Sequence, residues 1–206
     1  MATIAVLALQ GAFIEHEKRL QELGCKTIEL RKASDLDQHF DGLVLPGGES
    51  TVQSKLLHSL DMYDRLRALI EGGLPVLGTC AGLILLAQTV EGAGDLDDRD
   101  AEIAQMRESV EGFQTLPVTV ERNSYGRQLG SSHEFGTTAD GETIPLTFIR
   151  APKIMAVGDG VQVLVQTATK DPVAVRYRDQ IACSFHPELN DNLWIYQIWL
   201  KTLSNE

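Results

Sequence analysis

Unbroken apolar runs of strand length alternate with stretches of helical period through the first half of the chain. Residues 3–9 (TIAVLAL) are apolar throughout, as a strand buried on both faces of a parallel sheet requires. Over residues 13–23, Ile14, Leu20 and Leu23 fall near one helical stripe and Gly24 supplies a stop. His16 and Glu17 read there as a solvated helix face. Residues 25–30 (CKTIEL) alternate as a second strand, and 41–46 (DGLVLP) form a third. A helix-like segment then runs to Leu60, and another covers 61–72. The apolar run 75–77 is a further strand, and 84–90 completes the helix after Gly82.

The second half is richer in strands. Residues 116–122 (LPVTVER) alternate clearly, 123–128 form a polar loop, and 146–150 (LTFIR) is a strand. Residues 161–168 and 172–178 pair as a hairpin across a Thr-Lys-Asp-Pro turn, and 181–185 is the last strand. A C-terminal helix over 190–203 carries Trp194, Ile198 and Trp199 as packing residues. Strand–helix alternation followed by extra strands predicts an α/β fold. Its single domain, residues 1–206, has a mostly parallel sheet covered by helices on both faces, with some antiparallel strands added.

One stretch breaks the pattern. Residues 91–111 hold eight acidic residues against two arginines, and are expected to be a solvated, mobile, partly helical surface insertion without a functional role. Composition is otherwise that of a soluble globular protein, 43% hydrophobic and 23% charged over 206 residues. A net charge of −11 argues against nucleic acid or an anionic membrane as partner. No apolar run reaches membrane-spanning length, and the N-terminus lacks a basic leader. The three cysteines, Cys25, Cys80 and Cys183, form no CxxC pair and suit a reducing compartment, so a cytoplasmic location is expected. Cys25 and Cys183 read as core residues.

Candidate chemistry centres on Gly78-Thr79-Cys80-Ala81-Gly82, between a strand and a helix. Small residues flanking a nucleophile at a sharp strand-to-helix turn form a nucleophile elbow. The glycines relieve steric crowding, and the helix start favours a thiolate at Cys80. Taken alone, the pentapeptide fits a buried structural cysteine equally well. At the other end of the chain, the strand 181–185 runs into His186-Pro187-Glu188. In extended backbone, residues 186 and 188 point to one side. Glu188 can then orient His186, and His186 can take a proton from Cys80: a nucleophile, a base and an orienter. Gly47-Gly48, after the third strand, is a turn that lets a ligand approach backbone N–H groups. The same residues also fit a tight turn with Ser50 as helix cap. Gln10, the Gly47-Gly48 turn, Cys80 and His186 all follow strands, and so converge on the carboxyl edge of one sheet, where such folds bind ligands.

These residues resemble the class I (triad) glutamine amidotransferases, and among them the glutaminase subunits of two-component pyridoxal 5′-phosphate synthases. The resemblance covers nearly the whole chain, in LALQGAFIEH (7–16), GLVLPGGEST (42–51), GTCAGLILLA (78–87), VTVERNSYGRQ (118–128), FIRAP (148–152) and CSFHPEL (183–189). It implies Cys80 as nucleophile, His186 as base and Glu188 as orienter. It implies glutamine binding by Gly48, Glu49 and Ser50, by Arg122, and by Ile149 and Arg150. A guanidinium suits the α-carboxylate of glutamine, and carbonyls or a carboxylate suit its α-ammonium. It further implies that ammonia passes to a synthase subunit that builds pyridoxal 5′-phosphate, and that this chain itself needs no cofactor and no metal. One departure is a longer segment ahead of VERN, with the family's Gly-Leu-rich stretch appearing as Gly112-Phe113-Gln114-Thr115-Leu116.

The expected chemistry is hydrolysis of glutamine to glutamate and ammonia through a γ-glutamyl thioester on Cys80. Its oxyanion needs two N–H donors, assigned to Ala81 and to Gly47 or Gly48. A Gly-Gly peptide can flip cheaply, so the hole can stay unformed until a partner docks near residues 10–16. The rival readings are another amidotransferase subunit or a γ-glutamyl hydrolase on the same scaffold, a non-catalytic subunit, and a cysteine peptidase.

Overall fold

The computed structural model describes residues 1–92, 111–125 and 131–203. Through the first half the chain alternates as its apolar runs dictate: β1 (Thr3–Leu7), α1 (Phe13–Glu22), β2 (Lys26–Leu30), a 3-10 turn (Ala33–Asp37), β3 (Gly42–Leu45), α2 (Ser50–Ser59), α3 (Tyr63–Glu71), β4 (Val76–Thr79) and α4 (Ala81–Leu86). Strands then dominate: β5 (Ala87–Glu91), β6 (Leu116–Tyr125), β7 (Ser131–Thr138), β8 (Thr143–Ile149), β9 (Ala151–Val157), β10 (Gln162–Gln166), β11 (Pro172–Tyr177) and β12 (Gln180–Cys183). A 3-10 turn (Pro187–Leu189) and α5 (Trp194–Leu200) follow.

The principal sheet has the order β2-β1-β3-β4-β12-β11-β10-β7-β8. Pairing is parallel from β2 to β12 and antiparallel from β12 to β8. The parallel half needs cover on both faces because its strands are apolar on both, and the residues of β1 show how. Ala5 and Leu7 join Leu57 of α2, Leu66 and Ile70 of α3 and Leu83 of α4 in one core. Ile4 and Val6 join Leu20 of α1 and Ile195, Tyr196 and Trp199 of α5 in the other. Helices on the two faces of an α/β sheet are thus as the pattern predicts. Trp199 is fully buried, whereas Trp194 and Ile198 are half-buried against the same core. Cys183 is fully buried and Cys25 half-buried. Among the described residues, no helix is long and apolar enough to cross a membrane.

Four local expectations differ from the structure. The helix after Cys80 ends at Leu86 rather than reaching Val90, because Ala87 turns extended (φ −58°, ψ 138°) and starts β5. This strand, β6 and β9 make a second, three-stranded sheet that the pattern did not reveal. Residues 123–125, read as loop, continue β6. The buried side of α1 is His16 and Leu20, while Ile14 is 48% exposed. The acidic segment falls almost entirely on 93–110, outside the described residues. Its successor packs firmly: Phe113 is fully buried and stacks on Tyr63 with ring centroids 5.4 Å apart, and Tyr63 donates to Gly112 O at 2.8 Å.

Candidate active site

Register brings the strand ends together. Leu45 pairs with Gly78 and Cys183 with Thr79, so β3, β4 and β12 finish side by side, and Cys80 N donates to Cys183 O at 2.9 Å. The turn after β1 closes on the turn after β3, with Ala12 N donating to Gly47 O at 3.1 Å. A Cβ on Gly47 would stand 2.5 Å from His186 Cε1 and 3.5 Å from Cys80 Cβ. The four turns singled out from sequence therefore meet at one edge.

Cys80 takes φ 49° and ψ −98° immediately before α4. For a residue with a side chain that backbone is strained, and it persists because the surroundings leave no alternative. A Cβ on Gly82 would strike Leu45 O, and one on Gly78 would lie 2.9 Å from the Gly82 backbone. The elbow thus forms where β4, α4 and β3 pass too close for any other residue. Cys80 Sγ faces Ile149 O at 4.0 Å. Ala81 is the first residue of α4 and buried.

His186 N donates to Thr147 O at 2.8 Å, which fixes the backbone behind the ring. Its Nδ1 lies 2.6 Å from Glu188 Oε1, so Nδ1 carries the proton and Nε2 is left for Cys80. His186 and Glu188 are both buried. Burial alone would push the imidazolium down, but hydrogen bonds to Cys80 and Glu188 and their charges prevail, raising His186 to about 10. Burial also opposes the Glu188 carboxylate, yet facing His16 and His186 holds it below its ordinary range.

The residues expected to hold glutamine lie at the turn after β3, on β6 and at the end of β8. Glu49, not Ser50, caps α2: its carboxylate accepts from Thr51 N at 3.2 Å and Val52 N at 2.7 Å. Ser50 is the first helical residue and buried. Arg122 Nη2 donates to Glu49 Oε1 at 3.2 Å and to Thr51 Oγ1 at 3.1 Å, so a guanidinium and a carboxylate stand together at the start of α2. Gly48 is exposed beside them. Ile149 ends β8, and Arg150, exposed at φ 44°, is where the chain leaves the large sheet for the small one. Among the described residues, no cluster of His, Cys, Asp and Glu suited to a metal is found.

Gln10, placed at this edge from sequence, binds the turn after β3 together with Gln53, which had no distinguishing sequence signal. Glu49 N donates to Gln10 Oε1 at 2.8 Å, and Gln53 Nε2 donates to Gln10 O and Pro46 O. His16, expected on a solvated face, is fully buried behind Glu188. Its place one helical turn before Leu20 was the available clue, and a polar residue type masked it.

The family model of the SNO glutamine amidotransferase family matches residues 6–205. A pyridoxal 5′-phosphate synthase subunit PdxT from Desulfitobacterium hafniense (strain Y51) is 52% identical over 202 residues, which cover 98% of this chain and 94% of that protein. The PdxT subunit of Methanocorpusculum labreanum is 46% identical, covering 98% and 97%. A solved structure described as a glutamine amidotransferase superposes with a TM-score of 0.84 at 35% identity, covering 97% of this chain and 98% of that one.

Proposed function

Because the chain belongs to the SNO glutamine amidotransferase family, we propose that it is the glutaminase subunit of a pyridoxal 5′-phosphate synthase, hydrolysing L-glutamine and passing ammonia to a synthase subunit in a hetero-oligomeric complex. The observation that carries the chemistry is the strained Cys80 elbow opposite a histidine whose Nδ1 is held 2.6 Å from a buried carboxylate.

Glutamine enters with its α-carboxylate toward Arg122 or Arg150 and its α-ammonium toward Glu49 and the carbonyl of Ile149. The pairing of Arg122 with Glu49 gives the unliganded rim a compensated charge that a zwitterion can replace. Cys80 thiolate attacks the side-chain amide carbon, and the carbonyl π electrons move to oxygen. Ala81 N–H and the Gly47-Gly48 turn supply the donors for that oxyanion. The C–N bond then breaks as the His186 imidazolium gives its Nε2 proton to the leaving nitrogen, releasing ammonia and a γ-glutamyl thioester. Neutral His186 next takes a proton from water, the hydroxide attacks the thioester, and expulsion of the thiolate yields glutamate. Glu188 holds the ring in the correct tautomer throughout. The free thiols Cys25, Cys80 and Cys183 fit a reducing compartment, and we assign the chain to the cytoplasm.

Glutamate release by the purified chain, alone and with a synthase subunit, tests the reading, with Cys80→Ala as control. Release that is lost in Cys80→Ala supports it, and a sharp rise with the partner adds partner gating. Equal release with and without the partner keeps the enzyme and removes the gating. A folded chain without release under either condition overturns the reading.

A further inference from the structure

His16 sits on the face of α1 that packs onto the sheet, and none of its surface reaches solvent. A buried imidazole needs both ring nitrogens engaged. Nδ1 lies 2.7 Å from Tyr196 Oη; Nε2 lies 3.1 Å from Thr79 Oγ1 and 3.5 Å from Glu188 Oε2. One arrangement of protons serves all of these contacts. Burial pushes Tyr196 well above its ordinary value, so it stays a phenol with one proton, and it donates that proton to Nδ1. Nε2 then carries the N–H, which Thr79 Oγ1 accepts at 3.1 Å with Glu188 Oε2 3.5 Å away. The opposite tautomer would point a lone pair at a carboxylate oxygen inside the protein, two acceptors facing one another.

Glu188 has the matching need. Its Oε1 is taken by His186, whereas Oε2 is buried and, among the described residues, has no hydrogen bond. A buried carboxylate with one oxygen unpaired is free to rotate or to take up a proton, and either would spoil the orientation of His186. His16 Nε2 is turned toward that oxygen. The 3.5 Å separation is long for a hydrogen bond, as such contacts often are before substrate binds and they tighten.

We propose that His16 is a positioning residue of the site: a neutral donor, fixed by Tyr196 and Thr79, that holds the second oxygen of Glu188 and keeps the carboxylate ionised and aimed at His186. The line of groups then runs Tyr196–His16–Glu188–His186–Cys80. This rests on the glutaminase reading and extends it to the support behind the triad. The groups that face this pair come from several elements: Glu15 and Arg19 of α1, Arg19 through Nε to the Glu188 carbonyl at 3.3 Å; Tyr196 of α5, with Glu22 beyond it; Cys183 of β12; His186; and Cys80 and Thr79 at the end of β4. Burial, with His186 adding to it, keeps His16 below its ordinary value despite Glu188. What it offers Glu188 is therefore an N–H, not a full charge.

The test measures glutaminase kcat and KM across pH for the chain assembled with a synthase subunit, in wild type, His16→Leu, His16→Gln and Tyr196→Phe. Iodoacetamide alkylation of Cys80, read by peptide mass, is followed in parallel. His16→Leu is expected to lower kcat by about tenfold to a hundredfold, the range that partners behind an oriented histidine command, with KM changed by less than about twofold. Its acid limb moves up by about one pH unit, because a carboxylate without the N–H takes up a proton more readily. His16→Gln, whose side-chain amide can place an N–H near the lost Nε2, restores most of both. Tyr196→Phe falls between. The acid limb of Cys80 alkylation moves the same way without requiring turnover.

Wild-type kcat and an unmoved limb in His16→Leu overturn the proposal. So does an equal loss in the Leu and Gln variants with the limb in place, the signature of packing alone. If His16→Leu does not fold, Tyr196→Phe decides, since it removes one oxygen only: unchanged kcat and limb overturn the proposal. A folded wild type that releases no glutamate sinks the glutaminase reading instead, and the alkylation limb still reports whether His16 governs Glu188.

Discussion

At Cys80 a backbone in a sparsely populated region (φ 49°, ψ −98°) costs on the order of 1–3 kcal/mol, and in exchange the sulfur stands clear of its own helix and beside His186. The two groups are electrically one unit. In Cys80→Ala, His186 loses one of the hydrogen bonds and one of the charges that raise it to about 10, so its ring titrates at lower pH. NMR of the imidazole Cε1–H in both proteins measures this, and identical titrations would mean that sulfur and ring do not meet. His16 has the opposite character. Its folded value lies below the ordinary 6.5, so below that pH the unfolded chain takes up a proton that the native state declines. Stability is therefore lost as pH falls through this window. In His16→Gln this component of the acid-side slope disappears, which urea midpoints taken between pH 7 and 5 would show. Residue chemistry explains why Cys80, His186 and Glu188 were legible from sequence and His16 was not. The triad has a local signature in the small residues flanking Cys80 and in the His-Pro-Glu run, although residues 187–189 form a 3-10 turn and not the extended backbone expected from sequence. His16 is defined by Tyr196 and Glu188, which are distant in the chain.

Elements position these residues through close approach. The elbow requires α4 to cross β3 so tightly that a Cβ on Gly82 strikes Leu45 O. Gly82→Ala is expected to destabilise the fold by about 1–3 kcal/mol, as overpacking does, and thermal unfolding of the purified variant reads it. Gly47→Ala acts differently. Its methyl would strike the His186 ring, 2.5 Å from Cε1, so activity should fall about a hundredfold, about 2.8 kcal/mol, while the unfolding temperature changes less than in Gly82→Ala; a wild-type rate would show that the ring has room to spare. The same scale shows which strands escape a sequence reading. The central parallel strands β1, β3, β4 and β12 are short runs buried on both faces. β5 and β9 lie at the edges of the small sheet, where β9 tolerates Pro152. The first five residues of β7 are exposed, so it carries no hydrophobic signature.

In the whole molecule, the segment from Gln10 to His16 holds both sides of the reaction centre. Gln10 and Ala12 bind the Gly47-Gly48 turn and Glu49, while His16 faces Glu188. These two grips can be separated. Gln10→Ala removes the acceptor for Glu49 N and is expected to lower kcat about tenfold, about 1.4 kcal/mol, without moving the acid limb. A shifted limb would mean that the turn and the carboxylate are not independently held. A synthase subunit docking on this segment would act on both at once.

The strand order carries one more consequence. β12 lies between β4 and β11, although it ends the run of strands along the chain. During translation, Cys80 leaves the ribosome roughly a hundred residues before His186, on the order of 5–20 s at typical elongation rates. Through that interval β4 waits with its backbone unpaired on the side β12 will fill, an edge open to wrong partners. On the glutaminase reading proposed above, Cys80 then lacks its base, and a nascent chain releases no ammonia. The last strand to be made both closes the sheet and switches on the chemistry, so an interrupted polypeptide is inert rather than partly active.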